Sequence, residues 1–406
     1  MMADMLRLAD ARLADAGFAG ARCGHKSGGR GNSGRGRSLK AAVAAAVLAA
    51  GCAGAVLAPA SPAFAQANLS DRNSRSVVTG AGSTVVFPVL SRWSYAFQEE
   101  THVPISYQPN GMVSARSQID AGSVTFAITD VPWPAEQLAS NGFVQWPLVF
   151  SAVVPVVSLP GVHTLALDAA TLAEIYLGRI TRWSDPALAR LNPATTLPDL
   201  AITIVSHERE GGSSLVFNRY LAAASPDFAR TAGITARSVV PAGAKTLTST
   251  GDIGVALTVA ATPGAIGYTD YADAVAVKAT MPTLAGTAGP VQPTPASVRR
   301  TVDDLTVGFT GGLGFADLVI DPAKHDATAN GGWPLVATSF VVMNAVPQNR
   351  DNAAAALRFF DWIYQHGAAT ANGLGYVPLP PTLVKAVEGL WTASVVADDK
   401  SLWPQK

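Results

Sequence analysis

The sequence predicts an α/β fold, and three observations carry the expectation. From Val77 onward, short apolar runs alternate with amphipathic windows, the order that packs helices against a sheet. Two glycine-rich segments, Gly80-Ala81-Gly82-Ser83-Thr84 and Gly211-Gly212-Ser213-Ser214, each stand between an apolar run and a helical window. The run 148–159 is nearly all apolar and reads as a buried strand crossing into a second lobe.

In chain order, Val77-Val78 predicts a strand, 80–84 a glycine-rich turn, and 88–100 a helix with Val89, Trp93 and Phe97 spaced at four. Ile105-Ser106-Tyr107 is the next strand, Pro109-Asn110-Gly111 a turn, and a helix follows through Ile119. Thr125-Phe126-Ala127-Ile128 is a third strand, ending at Thr129-Asp130. Three strands thus deliver a loop or helix start to one edge, which is where ligands sit in open α/β sheets. Beyond the crossing strand, 172–177 and 186–191 are helical, 202–205 is a strand, and Gly211 to Ser214 opens a helix through Leu221. Residues 264–268 form a short strand, and 336–343 a strand returning to the first lobe, followed by an amphipathic helix over 352–364. The stretch 279–297, rich in Pro, Thr, Ala and Gly, reads as a loop.

The N-terminus reads as an export signal. Residues 1–40 are rich in Arg, Lys, Gly and Ser, 41–57 form an Ala/Val/Leu run, and Ala63-Phe64-Ala65 precedes Gln66. A basic leader, an apolar stretch and an Ala-x-Ala junction make a signal peptide rather than a membrane span. Leu48-Ala49-Ala50-Gly51-Cys52 has the form of a lipoprotein box. The apolar residues that follow it are unlike a polar tether, so cleavage near Ala65 is the expectation. From the leader's length, a translation start downstream of Met1 is an expectation. Without residues 1–65 the 406-residue chain keeps 341 and loses both cysteines, Cys23 and Cys52. A core must then hold the fold, and that length suffices for two lobes. The leader also takes eight of the 29 Lys/Arg and three of the 29 Asp/Glu, leaving 21 basic and 26 acidic groups, a net charge of −5. With no basic run remaining, nucleic acid is excluded as the expected partner. An anion binder of this balance relies on local donors and helix ends rather than a positive field.

Three segments carry candidate chemistry. In Gly80-Ala81-Gly82-Ser83-Thr84 the glycines let backbone approach a ligand, the helix start offers free N–H groups, and Thr84 adds a hydroxyl donor. An ordinary turn capped by Ser or Thr reads the same way. In Thr129-Asp130-Val131-Pro132 a carboxylate ends a strand, either to cap a helix or to face a ligand. An ionised carboxylate only accepts, so it repels sulfate but takes the proton of hydrogen phosphate. The third segment, His207-Glu208-Arg209-Glu210-Gly211-Gly212-Ser213-Ser214, collects an imidazole, a guanidinium, glycines and hydroxyls at a helix start. Arg209 there pairs an oxyanion completed by a nest of N–H groups, or it is merely solvated by Glu208 and Glu210 on a surface turn. Ser213, His207 and Asp130 are also the residue types of a hydrolytic triad, but no Gly-x-Ser-x-Gly elbow is present. Six histidines without a His-x-x-x-His pair argue against a metal site, and no cofactor is expected.

The motifs also follow a recognisable order. After Gly-Ala-Gly-Ser-Thr and Phe126-Ala127-Ile128-Thr129-Asp130 come Ile175-Tyr176-Leu177-Gly178-Arg179-Ile180-Thr181-Arg182-Trp183-Ser184-Asp185-Pro186 and Leu191-Asn192-Pro193. Pro263-Gly264-Ala265-Ile266-Gly267-Tyr268, Phe359-Phe360-Asp361-Trp362 and Tyr376-Val377-Pro378-Leu379-Pro380 complete the series. This order resembles the periplasmic phosphate-binding protein of the Pst-type ABC importer along nearly the whole chain after the leader. The resemblance implies a two-lobed periplasmic binding protein of type II, a Venus flytrap with mixed sheets flanked by helices and a hinge between lobes. Lobe I would comprise 66–150 and 328–406, and lobe II 151–327. It further implies that a monomer, periplasmic or secreted, holds inorganic phosphate or a related oxyanion between the lobes. No catalysis is involved, and the ion passes to an ABC permease of the inner membrane.

Carried over by position, Thr84 and the Val85 N–H match the family's first-loop donors, Asp130 its carboxylate acceptor, and Gly212 and Ser213 the last two members of its Ser-Gly-Thr donor turn. Met112 stands where the family has a Ser, with Ser114 the nearest hydroxyl. His207 stands where it has its ligand Arg, Gly211 where the donor turn opens with Ser, and Arg209 where an Asp braces the Arg. Arg209 swinging in as the cation, held by Glu208 or Glu210, is one consequence; weakened affinity is the other. These departures keep open a secreted interaction paralogue with altered or lost oxyanion specificity, and, more remotely, a phosphate-ester hydrolase.

Overall fold

A computed structural model describes residues 77–306, 315 and 317–403. The predicted leader, Cys23, Cys52 and the junction at Ala65 lie outside the described residues. Strand β1 (Val78–Gly82) leads into helix α1 (Phe87–Thr101), β2 (Ile105–Gln108) into α2 (Met112–Asp120), and β3 (Phe126–Thr129) into α3 (Ala135–Asn141). β1 pairs parallel with both β2 and β3. The four-residue spacing read from the sequence is the buried face of α1, where Val89, Leu90, Trp93 and Phe97 meet the core. The helix stops where His102 turns left-handed at φ 59°.

The turn expected over 80–84 is corrected, because the strand continues through Gly82. Its glycines serve the close approach of β3. A Cβ on Gly80 would lie 2.2 Å from the Phe126 ring, and one on Gly82, at φ +140°, would lie 2.0 Å from the Ile128 carbonyl oxygen. The composition of a loop is here the composition of a tight strand pair.

β4 (Phe143–Val157) is buried at every position. Beyond it come β5 (Ala166–Leu167), α4 (Ala169–Tyr176), α5 (Pro186–Leu191), β6 (Thr203–His207), α6 (Gly212–Ala224) and α7 (Pro226–Thr231). These are followed by β7 (Thr246–Ser249), α8 (Gly251–Ala261), β8 (Ala265–Asp270) and α9 (Tyr271–Ala276). The chain returns through β9 (Thr283–Gly286), β10 (Gly289–Val291), α10 (Pro295–Thr306), β11 (Val336–Asn344), α11 (Arg350–His366), α12 (Ala368–Gly373) and α13 (Pro381–Ser394).

One eight-stranded mixed sheet runs β2-β1-β3-β11-β4-β8-β6-β7, and β4 is its seam. Residues 143–152 pair antiparallel with β11, and residues 153–157 antiparallel with β8. β6 then runs parallel to β8 and β7. A strand buried on both faces is apolar almost throughout, which is why the run 148–159 stands out. The Trp333 indole donates to the Val153 carbonyl at 2.9 Å, fixing the segment before β11 to the point where the pairing changes.

The loop expected over 279–297 is also corrected. It contains the antiparallel hairpin β9–β10, and β9 pairs parallel with β5. Its small residues are packing choices: a Cβ on Gly286 would lie 2.4 Å from the Thr328 Cβ, and Thr287 donates to Asp326 at 2.8 Å. No helix among the described residues is long and apolar enough to cross a membrane.

Candidate functional site

The ends of β1 and β3, the middle of β11 and the first turn of α6 converge on Asp130. Ser83 Oγ donates to its Oδ2 at 2.5 Å and Ser339 Oγ, from β11, to its Oδ1 at 2.7 Å. Asp130 therefore caps no helix. Burial above all, opposed by the two serine bonds and helped by the charge of Asp252, raises its carboxyl to about 6. Ser83 is placed by its own N–H, which donates to Ile128 O at 2.9 Å and extends the β1–β3 ladder past Gly82. Its oxygen also accepts the Val85 N–H at 3.1 Å. Two tyrosines brace this loop, Tyr107 on Ser83 O at 2.9 Å and Tyr376 on Val85 O at 2.6 Å. Thr84, by contrast, is exposed.

Across the seam, the first turn of α6 faces the same carboxylate. Gly211 is extended at φ −159° and its N–H donates to Ala236 O at 2.9 Å. Gly212 lies so close to Asp130 that a Cβ there would be 2.1 Å from the Asp130 Cβ. The N–H groups of Gly212 and Ser213 open the helix, where no i−4 carbonyl is available to them. The positive end of the helix thus lies beside an acceptor-only group.

Ser213 and His207 meet a second buried carboxylate, Asp252 in α8. Ser213 Oγ donates to Asp252 Oδ1 at 2.7 Å, and the Asp270 N–H reaches the same oxygen at 3.1 Å. His207 Nε2 approaches it to 3.4 Å but is buried without a well-formed hydrogen bond. Burial opposes ionisation of Asp252, yet His207, Ser213 and the Asp270 N–H outweigh it and hold the carboxyl below its usual range. Its neighbours respond in the other direction. Burial first and Asp252 second push Asp273 up to about 7 and Asp270 well above the carboxylate range.

The remaining expected positions are distributed as follows. Met112 opens α2 beside the site, with its sulfur 3.3 Å from Thr129 Oγ1. Ser114 is taken by Gln118 at 3.1 Å within the same helix. Arg209 is exposed, and neither flanking carboxylate holds it: Glu208 accepts from Thr250, and Glu210 pairs with Arg237 at 2.7 Å. The arrangement with Arg209 braced by Glu208 or Glu210 is thus corrected. The triad is not assembled either, since Ser213 spends its proton on Asp252 and Asp130 is taken by Ser83 and Ser339. Among the described residues no group of three or more His, Cys, Asp or Glu could hold a metal ion.

Ser83, Ser339 and Asp252 were not singled out from sequence. Ser339 carried a usable signal, a Thr338-Ser339 pair inside an otherwise apolar strand. Asp252, at the first turn of a helix, is indistinguishable from an ordinary N-terminal acid.

Residues 59–366 match the family described as the PBP superfamily domain. The phosphate-binding protein PstS of Pasteurella multocida (strain Pm70) is 31% identical over 330 residues, covering 80% of this chain and 93% of that protein. The chain belongs to the PstS family. A second PstS relative, from Xylella fastidiosa (strain Temecula1 / ATCC 700964), is 34% identical over 319 residues, covering 78% of this chain and 85% of that protein. Among solved structures, the periplasmic phosphate-binding protein PfluDING, bound with phosphate, aligns with a TM-score of 0.64 at 17% identity, over 79% of this chain and 96% of that one. At that identity the likeness is one of fold, and it sets this PstS-family chain among two-lobed α/β binding proteins.

Proposed function

We propose that the protein captures inorganic phosphate between its lobes and delivers it to the permease of an ABC importer, without chemistry. The observation that carries this reading is Asp130: a buried carboxylate, fixed by two serines, that faces the first turn of a helix across the seam of the sheet. One acceptor opposite a set of N–H donors fits an oxyanion that still carries a proton. Hydrogen phosphate gives that proton to the carboxylate; sulfate has none to give. The phosphate-binding names of the relatives support the same ligand.

In this reading Gly212 and Ser213 donate from lobe II, residues 151–327. Asp130 accepts from lobe I, residues 66–150 and 328–406. Thr84 stands at the rim, and the Val85 N–H is spent on Ser83, so their contribution requires the first loop to re-form around the ion. Closure is a shift between open and closed lobes that the ion favours by touching both. The protein works as a monomer outside the cytoplasmic membrane after cleavage near Ala65. Titration calorimetry with phosphate and sulfate tests the proposal. Phosphate binding at micromolar concentration or below, with sulfate at least a hundredfold weaker, is expected; equal affinity for both ions would remove the role given to Asp130.

A further inference from the structure

We propose that His207 is a specificity-determining positioning residue whose charge gates the lobe II donors. As an imidazolium it takes over Asp252 and releases the Ser213 hydroxyl to the anion, so that the charged form of His207 holds phosphate more tightly than the neutral form. The inference rests on the phosphate reading above and adds to it the control of one donor.

Ser213 and His207 converge on a single carboxylate oxygen. Asp252 Oδ1 receives Ser213 Oγ at 2.7 Å and the Asp270 N–H at 3.1 Å, while His207 Nε2 waits at 3.4 Å. Asp252 is held in its ionised form, so it accepts and Ser213 donates. A hydroxyl has one proton. While Ser213 gives it to Asp252, only lone pairs remain for an anion in the cleft, and lone pairs repel it. An imidazole is the side chain that gains charge between pH 8 and pH 5. Once charged, both ring nitrogens donate. Nδ1 lies 3.5 Å from Ser238 Oγ, and Nε2 has Asp252 as its target. A charge-assisted bond is about twice as strong as a neutral one, so the carboxylate exchanges serine for histidine and the hydroxyl turns to the ligand.

The surroundings leave this work to His207. Its ring is packed on Tyr268 of β8 at 4.9 Å between centroids. Its backbone N–H is held by Ser238 at 2.9 Å, and Ser238 is in turn bonded to the Tyr268 hydroxyl at 2.8 Å. The carboxylate facing it from α8 is Asp252. Glu208, beside it in the chain, is occupied by Thr250. Asp130 feels the charge of Asp252, as do Asp270 and Asp273. Of the guanidinium groups joined to this segment, Arg237 is paired with Glu210 and Arg209 is exposed to solvent. A neutral imidazole leaves this cluster negative, and an imidazolium cancels Asp252.

The test is calorimetric titration of the purified protein with inorganic phosphate from pH 5.5 to 8.5 at constant ionic strength, for the wild type, His207→Gln and His207→Arg. The ionisation of phosphate and of Asp130 is common to all three, so the ratio between wild type and variant isolates His207. Between pH 8 and pH 6 the wild type should gain at least tenfold over His207→Gln. His207→Arg, charged throughout, should exceed His207→Gln by the same factor, at least tenfold, at pH 8 and at pH 6. Parallel profiles for wild type and His207→Gln would overturn the inference alone; no phosphate binding at any pH would overturn the functional reading with it. Should the variants fail to fold, proton NMR of His207 in the wild type decides. Saturating phosphate should move its titration midpoint upward, and an unmoved midpoint contradicts the proposal.

Discussion

Replacing Asp130 by Asn should make the phosphate-free protein more stable at pH 8 while removing its grip on phosphate. The carboxyl titrates at about 6 in the folded protein against 3.8 ordinarily. Between those values the native state holds a proton that the unfolded chain has released, so stability falls as the pH rises through the window. Above about pH 6 the native state carries the full cost of a buried charge. A displacement of roughly two units corresponds to about 3 kcal/mol. Asparagine keeps the shape and never ionises. Urea unfolding without phosphate should therefore show the variant about 1–3 kcal/mol more stable at pH 8 and nearly equal at pH 4. The experiment must exclude the ligand, because saturating phosphate stabilises only the form that binds it and should reverse the order. A variant less stable than wild type at pH 8, or one whose difference ignores pH, would refute the claim that Asp130 is kept charged at the expense of stability.

Three further outcomes follow from the same geometry. Gly212→Ala places a Cβ 2.1 Å from the Asp130 Cβ, which forces the lobes apart; calorimetry should show phosphate affinity reduced roughly a hundredfold, about 3 kcal/mol, with near-normal unfolding midpoints. Met112→Ser restores a hydroxyl beside Thr129 and should tighten phosphate binding roughly five- to tenfold, the worth of one net hydrogen bond of about 1 kcal/mol. Gly82→Ala must fit a side chain 2.0 Å from Ile128 O at φ +140°; a loss of about 3 kcal/mol or more in denaturant unfolding is expected, and a loss below about 1 kcal/mol would show that β1 and β3 can separate.

What could be read from the sequence was whatever is periodic or contiguous. The nearly all-apolar seam strand, the helix spacing of Val89, Trp93 and Phe97, and the glycine-led start of α6 each announce themselves within a few residues. The identity of the working hydroxyl did not. Ser83 and Thr84 are neighbours of similar chemistry, and which one turns inward depends on the backbone of Gly82 and on the bond from Ser83 N–H to Ile128 O. Long-range partners were equally hidden. Ser339 reaches Asp130 across 209 positions and Asp252 meets Ser213 across 39, distances over which no local pattern speaks. The hairpin in 279–297 escaped because its glycine and threonine residues have the composition of a loop.

The decisive feature is the position of the anion. A crystal structure of the protein grown with phosphate, checked by anomalous scattering from arsenate in its place, tests this most directly. One tetrahedral ion is expected between the lobes, with an oxygen within hydrogen-bond distance of Asp130 and others on the N–H groups of Gly212 and Ser213. Electron density for the ion elsewhere, with the Asp130 carboxylate still bonded only to Ser83 and Ser339, would contradict it.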